Sequence, residues 1–344
     1  MYARLLACAT TAAALLALPG AAQAASPRLQ AVLAPNDAYF PVWSWPAQET
    51  GLQQAWDATL GDPSIAIAIL DTGVSPVADL QGALLPGVDL VNGDDDASDD
   101  NGHGTQVASV AAARINNGVG IAGVCGRCSI LPVKVLAADG SGSSATVARG
   151  IAWAVDHGAR VVNLSAAGPS DDPTLDAAIA DAVARGVVVV LAAGNAGSSD
   201  PAAGGYPAAA AATAIRVGGV DRFGALYGWS NRGTWVDVAA PGALATALPD
   251  GTFALGAQGT SLAAPVVAGI AGLLLSYRPT LAPDAVKTLV TTTGTATSGL
   301  DVGSGRVVDA AAALTALGWS APMPVATVAK APAKQPSRLT RKRR

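Results

Sequence analysis

Short runs of apolar residues alternate along this sequence with longer segments in which apolar residues recur at helical spacing. The strand-like runs are residues 65–70, 130–135, 161–164, 187–192, 215–220 and 235–239. The helix-like segments are residues 104–113, 146–157, 174–185, 263–277, 283–292 and 310–317. Apolar strands that alternate with helices are typical of a parallel sheet that is buried on both faces. We therefore expect an α/β fold of three layers, doubly wound, with a mostly parallel central sheet and helices on both faces.

The two ends of the sequence differ from this body. Residues 1–24 combine a basic start at Arg4, an apolar run and small residues before position 25, which is typical of a secretory signal peptide. The apolar run is shorter than the roughly 20 residues of a membrane-spanning helix, so we expect no membrane span and a secreted, extracellular protein. Residues 25–44 are interpreted as the N-terminal segment of the mature chain and residues 45–318 as one folded domain. Residues 319–344 are rich in Pro, Ala and Lys and are expected to form a disordered basic tail.

The charged residues are distributed unevenly. The net charge of the whole chain is −4, yet residues 330–344 carry many Lys and Arg and no acid, so the body is more acidic than this total. An acidic surface repels phosphate backbones, and we expect no nucleic-acid partner. For the basic tail the sequence leaves two alternatives, a solvated end or attraction to anionic polymers of the cell envelope.

Export also bears on the cysteines. If Cys8 is removed with the signal peptide, Cys125 and Cys128 remain, and oxidising compartments favour disulfides. A redox site would place its first thiol at the start of a helix, whereas a strand-like run follows here. Two thiols with no nearby histidine do not complete a zinc site. We expect Cys125 and Cys128 to form a disulfide with each other.

Polar residues stand where the chain leaves the predicted strands, which is where parallel α/β sheets place their reactive groups. Asp71 follows one apolar run, Asn195 follows another, and Ser261 lies in a Gly-Thr-Ser sequence at the start of a helix. His103 lies between glycines, and the second of the two histidines, His157, is explained by its place at the end of a helix. A serine becomes nucleophilic when a base takes its proton and an acid orients that base.

Together these motifs are more specific than each alone. The order Asp71, His103, Asn195, Ser261, in Asp-Thr-Gly, Asn-Gly-His-Gly-Thr, Ala-Ala-Gly-Asn and Gly-Thr-Ser-Leu-Ala-Ala-Pro, resembles the subtilisin-like serine proteases, or subtilases. The resemblance implies that Ser261 is the nucleophile, His103 the general base and then acid, and Asp71 the carboxylate that orients it. It also implies that the Asn195 amide and the Ser261 N–H hold the oxyanion.

The function that this resemblance implies is a secreted serine endopeptidase whose partners are peptide and protein substrates, and we expect a monomer without an organic cofactor. Two alternatives stay open. One is a catalytically inactive, envelope-associated binding module of the same fold, and the other is a processing protease of narrow specificity. Few residues separate position 24 from Pro35, where the mature start of the family matches, so this stretch has no room for a full prodomain. We then expect the chain to fold either unaided, with calcium binding supplying part of the folding free energy, or with the help of a separate molecule that acts in trans.

The resemblance implies that a substrate peptide pairs with two backbone edges. Their residues are Ser141 and Gly142 on one side and Leu164, Ser165, Ala166, Ala167 and Gly168 on the other. Ala167 stands where many relatives have glycine, and we expect its methyl group to narrow the primary pocket or shift the peptide. Because residues 192–197 contain no acid, we expect an uncharged, mostly apolar side chain at P1, the residue on the N-terminal side of the cleaved bond.

The resemblance further implies a structural calcium site. Its expected ligands are side-chain oxygens of Asp37, Asp79 and Asn117 and backbone carbonyls of Ile115, Val119 and Ile121. The acid-rich run from Asp89 to Asp100 has two interpretations. It is either a second calcium site through Asp89, Asp94 and Asp96 or a solvated acidic loop.

Overall fold

A mostly parallel sheet forms the middle of the structure. The computed structural model describes residues 34–321 except 43, 169 and 209, so the expected signal peptide and nearly all of the basic tail lie outside the described residues. Within the described residues, the strands are β1 (Ala66–Asp71), β2 (Val88–Asp89), β3 (Ser129–Lys134), β4 (Ala159–Leu164), β5 (Val188–Ala192), β6 (Ile215–Val220), β7 (Val238–Pro241), β8 (Ala243–Ala247), β9 (Phe253–Gln258), β10 (Thr295–Ala296) and β11 (Arg306–Val307). Nine of these described strands form one sheet in the order β10-β11-β7-β6-β5-β4-β1-β3-β2, and β8 and β9 form a separate antiparallel pair.

Helices cover both faces of this sheet. They are α1 (Trp45–Glu49), α2 (Leu52–Ala58), α3 (His103–Ala112), α4 (Ser144–Asp156), α5 (Pro173–Ala184), α6 (Thr260–Tyr277), α7 (Pro283–Thr292) and α8 (Ala310–Ala316). Alternate side chains of β1 enter different cores. Ile67 and Ile69 pack with apolar residues of α3 and α6, whereas Ala68 and Leu70 pack with those of α4 and α5. The expected three-layer, mostly parallel α/β fold is therefore confirmed.

Helix α6 is the central helix of one layer. It is the one helix of the described chain that is long and apolar enough to cross a membrane by length and composition, but 89% of that stretch is buried inside the protein. Its neighbours are α3, β4, β5, β6 and β7. The apolar character of α6 is thus explained by its place in the core.

Strand β1 lies at the point where the chain changes direction across the sheet. It pairs with β3 on one side and β4 on the other, in parallel on both sides. A crevice opens at the carboxyl end of such a strand, because helix α3, which follows β1 and β2, and helices α4 and α5, which follow β3 and β4, lie on opposite faces of the sheet. Asp71 is the last residue of β1, and the sheet register pairs it with Lys134.

One strand begins later than the sequence pattern indicated. The apolar run at 235–239 predicted a strand from Trp235, but β7 starts at Val238. The reason is a turn, closed by a hydrogen bond of 3.0 Å from Val236 N to the Gly233 carbonyl oxygen, that occupies the first residues of the run.

Candidate active site

Asp71 and His103 are hydrogen-bonded to each other at the carboxyl end of the sheet. Asp71 is fully buried, and its Oδ1 lies 2.7 Å from His103 Nδ1 and accepts a second hydrogen bond from Thr72 N at 2.8 Å. His103 is the first residue of α3, and its side chain is 33% exposed. Because Nδ1 donates to the carboxylate, Nε2 is the ring nitrogen that is left to exchange a proton with another group.

Gly104 allows α3 to approach the end of β1 closely. A Cβ atom at this position would collide with the Gly73 carbonyl oxygen and would lie 3.1 Å from Asp71 Cβ. The backbone N–H of Gly104 instead donates to the Thr72 hydroxyl at 3.0 Å. The absence of a side chain at position 104 is therefore part of what sets the separation of Asp71 and His103.

Asp99 joins the segments on which Asp71 and His103 lie. Its Oδ1 accepts hydrogen bonds from the Thr72 hydroxyl and Gly102 N, both at 2.8 Å, and its Oδ2 accepts from the backbone N–H and the hydroxyl of Thr105. Burial alone would raise the pKa of Asp99, but these hydrogen bonds outweigh it and hold the pKa below its usual value. Sequence reasoning missed this role, because Asp99 lies in the acidic run that was interpreted as calcium site or loop.

The imidazole of His103 is held among negative charges. Its burial lowers the pKa, but the charge and the hydrogen bond of Asp71 raise it, and the charge of Asp99 raises it further, so the pKa of His103 lies above its ordinary 6.5. Both carboxylates stabilise the imidazolium form. The ring is thus suited to accept a proton from a neighbouring hydroxyl.

Ser261, Thr260 and Asn195 meet at the start of α6. Asn195 Oδ1 accepts hydrogen bonds from Thr260 N and from the Thr260 hydroxyl, both at 2.9 Å. A backbone N–H can only donate, so this atom of the amide must be the oxygen, and the NH₂ group is left for the other side. A Cβ atom at Gly259 would lie 2.8 Å from Ser261 Oγ and 3.6 Å from Asn195 Nδ2, which places these two polar atoms around the same point.

His103, Asn195 and Ser261 line one cleft of about 380 Å³. Within the described part of the chain, Ser261 Oγ makes no hydrogen bond to His103, and such contacts often tighten only when substrate binds. His103 is the one titratable side chain among the described residues that line the cleft. The described residues of the cleft wall therefore offer no carboxylate to a basic substrate side chain.

Ser165 is one of the expected substrate residues, and it contacts the backbone of Ser261. Its hydroxyl donates to the Ser261 carbonyl oxygen at 2.8 Å and accepts from Asn163 Nδ2 at 2.9 Å. Ser165 is buried and also contributes to the wall of the cleft. The structure therefore gives its side chain a supporting contact beneath Ser261 in addition to its place on the edge.

The two expected substrate edges face each other across a groove of about 270 Å³. Ser141 and Gly142 lie on one wall, and Leu164, Ala166, Ala167 and Gly168 lie on the other. Ala166 and Ala167 also line the cleft with Ser261, so the groove continues into it. An extended peptide between the edges would reach the serine.

Comparisons with known proteins agree with this geometry. The Subtilase family model, Peptidase_S8, matches residues 62–314. The chain belongs to the Subtilase family. It is 44% identical to thermitase of Thermoactinomyces vulgaris over 70% of this chain and 85% of that protein, and 36% identical to subtilisin Savinase of Lederbergia lenta over 78% and 97%.

Other subtilases give the same result. Identity to the thermophilic serine proteinase of Bacillus sp. strain AK1 is 42% over 70% of this chain, and the match spans 60% of that longer protein. Among solved structures, a protease of Pseudoalteromonas arctica PAMC 21717 superimposes with a TM-score of 0.75 at 32% identity, over 83% of this chain and 99% of its own. A cold-adapted subtilisin-like serine proteinase superimposes with a TM-score of 0.63 at 30% identity, over 70% and 89%. The expected membership of the subtilisin-like serine proteases is confirmed.

Two buried acids mark the expected calcium site of this subtilase. Asp37 Oδ2 accepts from Asn116 N at 2.9 Å, but the buried Asp37 Oδ1 has no hydrogen-bond partner among the described residues. Asp79 Oδ2 accepts from Ile121 N at 2.9 Å. Burial raises the pKa of Asp79 to about 6, and the negative charge of Asp37 contributes to this rise. Burial also raises the pKa of Asp37. Two acids held in this way fit a hard cation.

The expected carbonyl ligands are not used by the backbone hydrogen bonds of the described residues. No N–H of the described residues donates to the carbonyl oxygens of Ile115, Val119 or Ile121, so these oxygens keep their lone pairs. Asn117 differs from the expectation in orientation, because its Nδ2 donates to Asp79 Oδ1 at 3.0 Å and its Oδ1 accepts from Val119 N at 2.7 Å. The amide would have to turn to offer its oxygen to a cation.

The structure does not gather Asp89, Asp94 and Asp96 around one point. Asp89 accepts hydrogen bonds from Val91 N, Asn92 N and Asn92 Nδ2, while Asp94 and Asp96 each accept from the backbone N–H two residues onward. Across the described residues, no group of three or more His, Cys, Asp or Glu side chains is placed to hold a metal ion. Local hydrogen bonds thus occupy these carboxylates, as in an ordinary polar loop.

Cys125 and Cys128 are bonded through their sulfur atoms in the structure, and both are fully buried. Gly61 and Gly272 lie against the pair, since a Cβ at Gly61 would be 3.2 Å from Cys128 Sγ and a Cβ at Gly272 3.0 Å. This places the cysteines between the start of β1 and helix α6, away from the cleft.

Proposed function

We propose that this subtilase is a secreted serine endopeptidase that hydrolyses peptide bonds through an acyl-enzyme on Ser261. The observation that carries the proposal is the 2.7 Å hydrogen bond between Asp71 and His103 at a cleft that Ser261 and Asn195 also line. An acid, a base, a hydroxyl and an amide donor are the groups that acyl transfer to serine requires.

The first half of the reaction forms the ester. Ser261 Oγ attacks the carbonyl carbon of the scissile peptide, and its proton passes to His103 Nε2. The carbonyl electron pair moves to the oxygen, which then accepts hydrogen bonds from Asn195 Nδ2 and the Ser261 N–H. The imidazolium gives its proton to the peptide nitrogen, the C–N bond breaks, and the amine product leaves.

The second half reverses the roles of the same groups. Water attacks the ester carbon, its proton passes to His103 Nε2, and the oxyanion again lies against Asn195 Nδ2 and the Ser261 N–H. The tetrahedral intermediate breaks at the bond to Ser261 Oγ, which takes the proton from the imidazolium, and the acid product leaves. Asp71 stays ionised throughout and stabilises the imidazolium in both steps.

The start of α6 supports this chemistry electrostatically. The backbone N–H groups of the first helical turn have no partner within the helix, and the helix dipole favours negative charge there. Because Asn195 Oδ1 is fixed by Thr260, the amide nitrogen does not have to reorient when the oxyanion forms. A donor that is already in position costs no reorganisation at the moment of reaction.

Substrates are proposed to be extended peptide segments of proteins that lie between the edges 141–142 and 164–168. Main-chain hydrogen bonds to the edges would supply affinity. The cleft wall lacks charged side chains apart from His103, which supports an uncharged, mostly apolar P1 residue.

Calcium is proposed as a structural ion of the site that contains Asp37 and Asp79. The two carboxylates, the free carbonyls of Ile115, Val119 and Ile121, and a turned Asn117 amide would hold it. When bound, the ion neutralises two acids that are otherwise buried together. It takes no part in the peptide hydrolysis.

The proposal also covers the fate and organisation of the chain. We propose that the protein is exported after cleavage of a signal peptide of residues 1–24. Its peptidase domain is residues 45–318, and the enzyme is a monomer with the Cys125–Cys128 disulfide. The basic tail of residues 319–344 is proposed to be solvated or to contact anionic envelope polymers. Anionic substrates such as nucleic acids are not expected to bind the acidic body.

The test is digestion of casein by the purified, secreted protein and by its Ser261→Ala variant, with folding of both checked by circular dichroism. We expect digestion by the first and none above background by the second. Equal digestion by both would remove Ser261 as the nucleophile. No digestion by either folded protein would favour the inactive, envelope-associated module.

A further inference from the structure

Lys134 is a buried cation that the reaction described above does not use. It is the last residue of β3, and 1% of its surface is exposed. Its Nζ donates to the Thr72 carbonyl oxygen at 2.6 Å, to Asp100 Oδ1 at 2.7 Å and to the Leu136 carbonyl oxygen at 3.0 Å. These partners use all three N–H bonds of the ammonium group, which is the condition under which a lysine is tolerated inside a protein.

Two of the three acceptors of this ammonium group lie in the segments that carry the candidate catalytic residues. Thr72 follows Asp71 directly, and the Thr72 hydroxyl accepts from Gly104 N, the residue after His103. Asp100 follows Asp99, which binds the same Thr72 hydroxyl and the first turn of α3. Lys134 therefore connects the end of β1 with the segment that leads into His103.

We propose that Lys134 is a positioning residue for the Asp71–His103 pair, and that Asp100 anchors its ammonium group. The inference rests on the proposed function, because it takes these two residues as the acid and the base. Lys134 binds the carbonyl oxygen of Thr72, the residue after Asp71, while Asp99 binds the hydroxyl of the same residue. In this arrangement the carboxylate and the imidazole keep a fixed separation.

The charge of Lys134 has a second effect. Asp71, Asp99 and Asp100 bring three carboxylates to this end of the sheet, and Asp71 and Asp99 are buried. A buried cation beside them reduces their mutual repulsion. If the ammonium group is removed, the Thr72 carbonyl loses its partner inside the protein, whereas the half-exposed Asp100 carboxylate can turn to water.

A small displacement of Asp71 would then affect the chemical step. Reacting groups that are misplaced by about 1 Å lose rate by roughly 100-fold. Lys134 does not line the cleft, so substrate binding should change little. The expected signature of Lys134→Met is a kcat that is about 10- to 100-fold lower with KM within about 3-fold of the wild type.

Lys287 offers a matched control. Its Nζ also binds two backbone carbonyls, those of Ala212 and Ala214 at 2.7 Å, and one acid, Asp237 at 3.1 Å, but these contacts lie before and beside β6, away from the cleft. Lys287→Met should lower the melting temperature and leave kcat per folded molecule unchanged. Both variants are assayed on a chromogenic peptide well below their melting temperatures, with the folded fraction measured by circular dichroism.

Asp100→Asn keeps the lysine and is the variant to use if Lys134→Met does not fold. Its expected kcat is about 3- to 10-fold below the wild type. Where Lys134→Met folds, adding Asp100→Asn to it should lower kcat no further, since both substitutions act through one contact. Wild-type kcat in Lys134→Met, or in Asp100→Asn where the lysine variant does not fold, would overturn the inference. Suppose that the wild type is active, that Ser261→Ala is inactive and that Lys134→Met is fully active. The proposed function then stands, and this inference alone fails. Wild-type protein that is folded and inactive would instead contradict the proposed function.

Discussion

Thr260 holds the side chain of Asn195 by two hydrogen bonds to the same atom, because its backbone N–H and its hydroxyl both lie 2.9 Å from Asn195 Oδ1. The Thr260 hydroxyl is itself fixed, since it accepts from Gly194 N at 3.0 Å. Asn195 is exposed to the cleft, but the orientation of its amide is set by buried groups. The donor that the oxyanion needs is thus prepared before substrate arrives.

We expect Asn195→Ala to lower kcat by about 10²–10³, the range known for loss of the equivalent donor in subtilisin, with little change in KM. The carbonyl of a bound peptide carries less charge than the oxyanion, so the lost hydrogen bond matters most in the transition state. Steady-state kinetics on a chromogenic peptide measures the effect. A rise in KM with an unchanged kcat would contradict the role of Asn195, because it would mean that the amide binds the ground state and the transition state equally well.

The pH dependence of the reaction should reflect the raised pKa of His103. The general base works as neutral imidazole, so kcat/KM should fall as the pH drops through a pKa that lies above 6.5. Asp99→Asn removes one of the negative charges that raise this pKa, so we expect the acid limb to move to lower pH.

The control for this shift is Asp62→Asn. Asp62 precedes β1 at the end of the strand opposite Asp71, so its charge is far from the imidazole. The acid limb of this variant should coincide with that of the wild type. An unchanged or upward-moved acid limb in Asp99→Asn would show that Asp99 does not act on His103 through its charge.

The positions of the strands could be predicted because they are buried on both faces. In the sequence such strands are short runs of apolar residues, because side chains on both faces are buried. In β1, for example, the apolar side chains enter one core or the other in turn. Asp71, which ends β1, and Asn195, which lies shortly after β5, could be found for the same reason, since a polar residue at the end of an apolar run is easy to recognise in the sequence. Their grouping into one site came from the family resemblance.

Other features left no such signal. Strand β9 is partly exposed along its length, so its pattern does not alternate, and β2, β10 and β11 are two residues long. The supporting roles of Asp99, Thr260 and Lys134 depend on contacts between segments that are distant in the chain. Lys134 in particular lies in an apolar run, and only the fold shows what neutralises it.

Calcium removal should lower stability, and more so at neutral than at acid pH. The folded pKa of Asp79, about 6, lies above its ordinary value of 3.8, so without a cation the ionisation of Asp79 costs roughly 3 kcal/mol of folding free energy once the pH exceeds 6. A bound ion removes this cost. We expect EGTA to lower the melting temperature by about 5–10 °C at pH 8 and by less at pH 5.

Two substitutions separate the possible calcium sites. Asp37→Asn should abolish the stabilisation by calcium at pH 8, because the Asp37 carboxylate oxygen that has no partner among the described residues is the one that we propose binds the ion. Asp94→Asn should leave it intact, since Asp94 is occupied by a local turn. Loss of the calcium effect in Asp94→Asn alone would place the ion in the acidic loop.

Ala167 should influence which side chain the enzyme accepts at P1. It is exposed and lines both the cleft with Ser261 and the groove between the substrate edges. Its methyl group takes up space where the peptide passes. We therefore expect Ala167→Gly to raise kcat/KM for peptides with Phe or Tyr at P1 relative to those with Ala by about 4- to 15-fold, the value of burying one to two more CH₂ groups at about 0.8 kcal/mol each.

The matched control is Ala202→Gly, an exposed alanine in the loop next to the cleft that does not line it. It has the same loss of a methyl group and the same gain in backbone freedom. If both variants change the Phe-to-Ala ratio alike, loop flexibility and not the space at position 167 determines P1 choice. A ratio that rises only in Ala167→Gly means that this methyl group limits the size of the side chain that can lie beside Ser261, because no other difference separates the two variants.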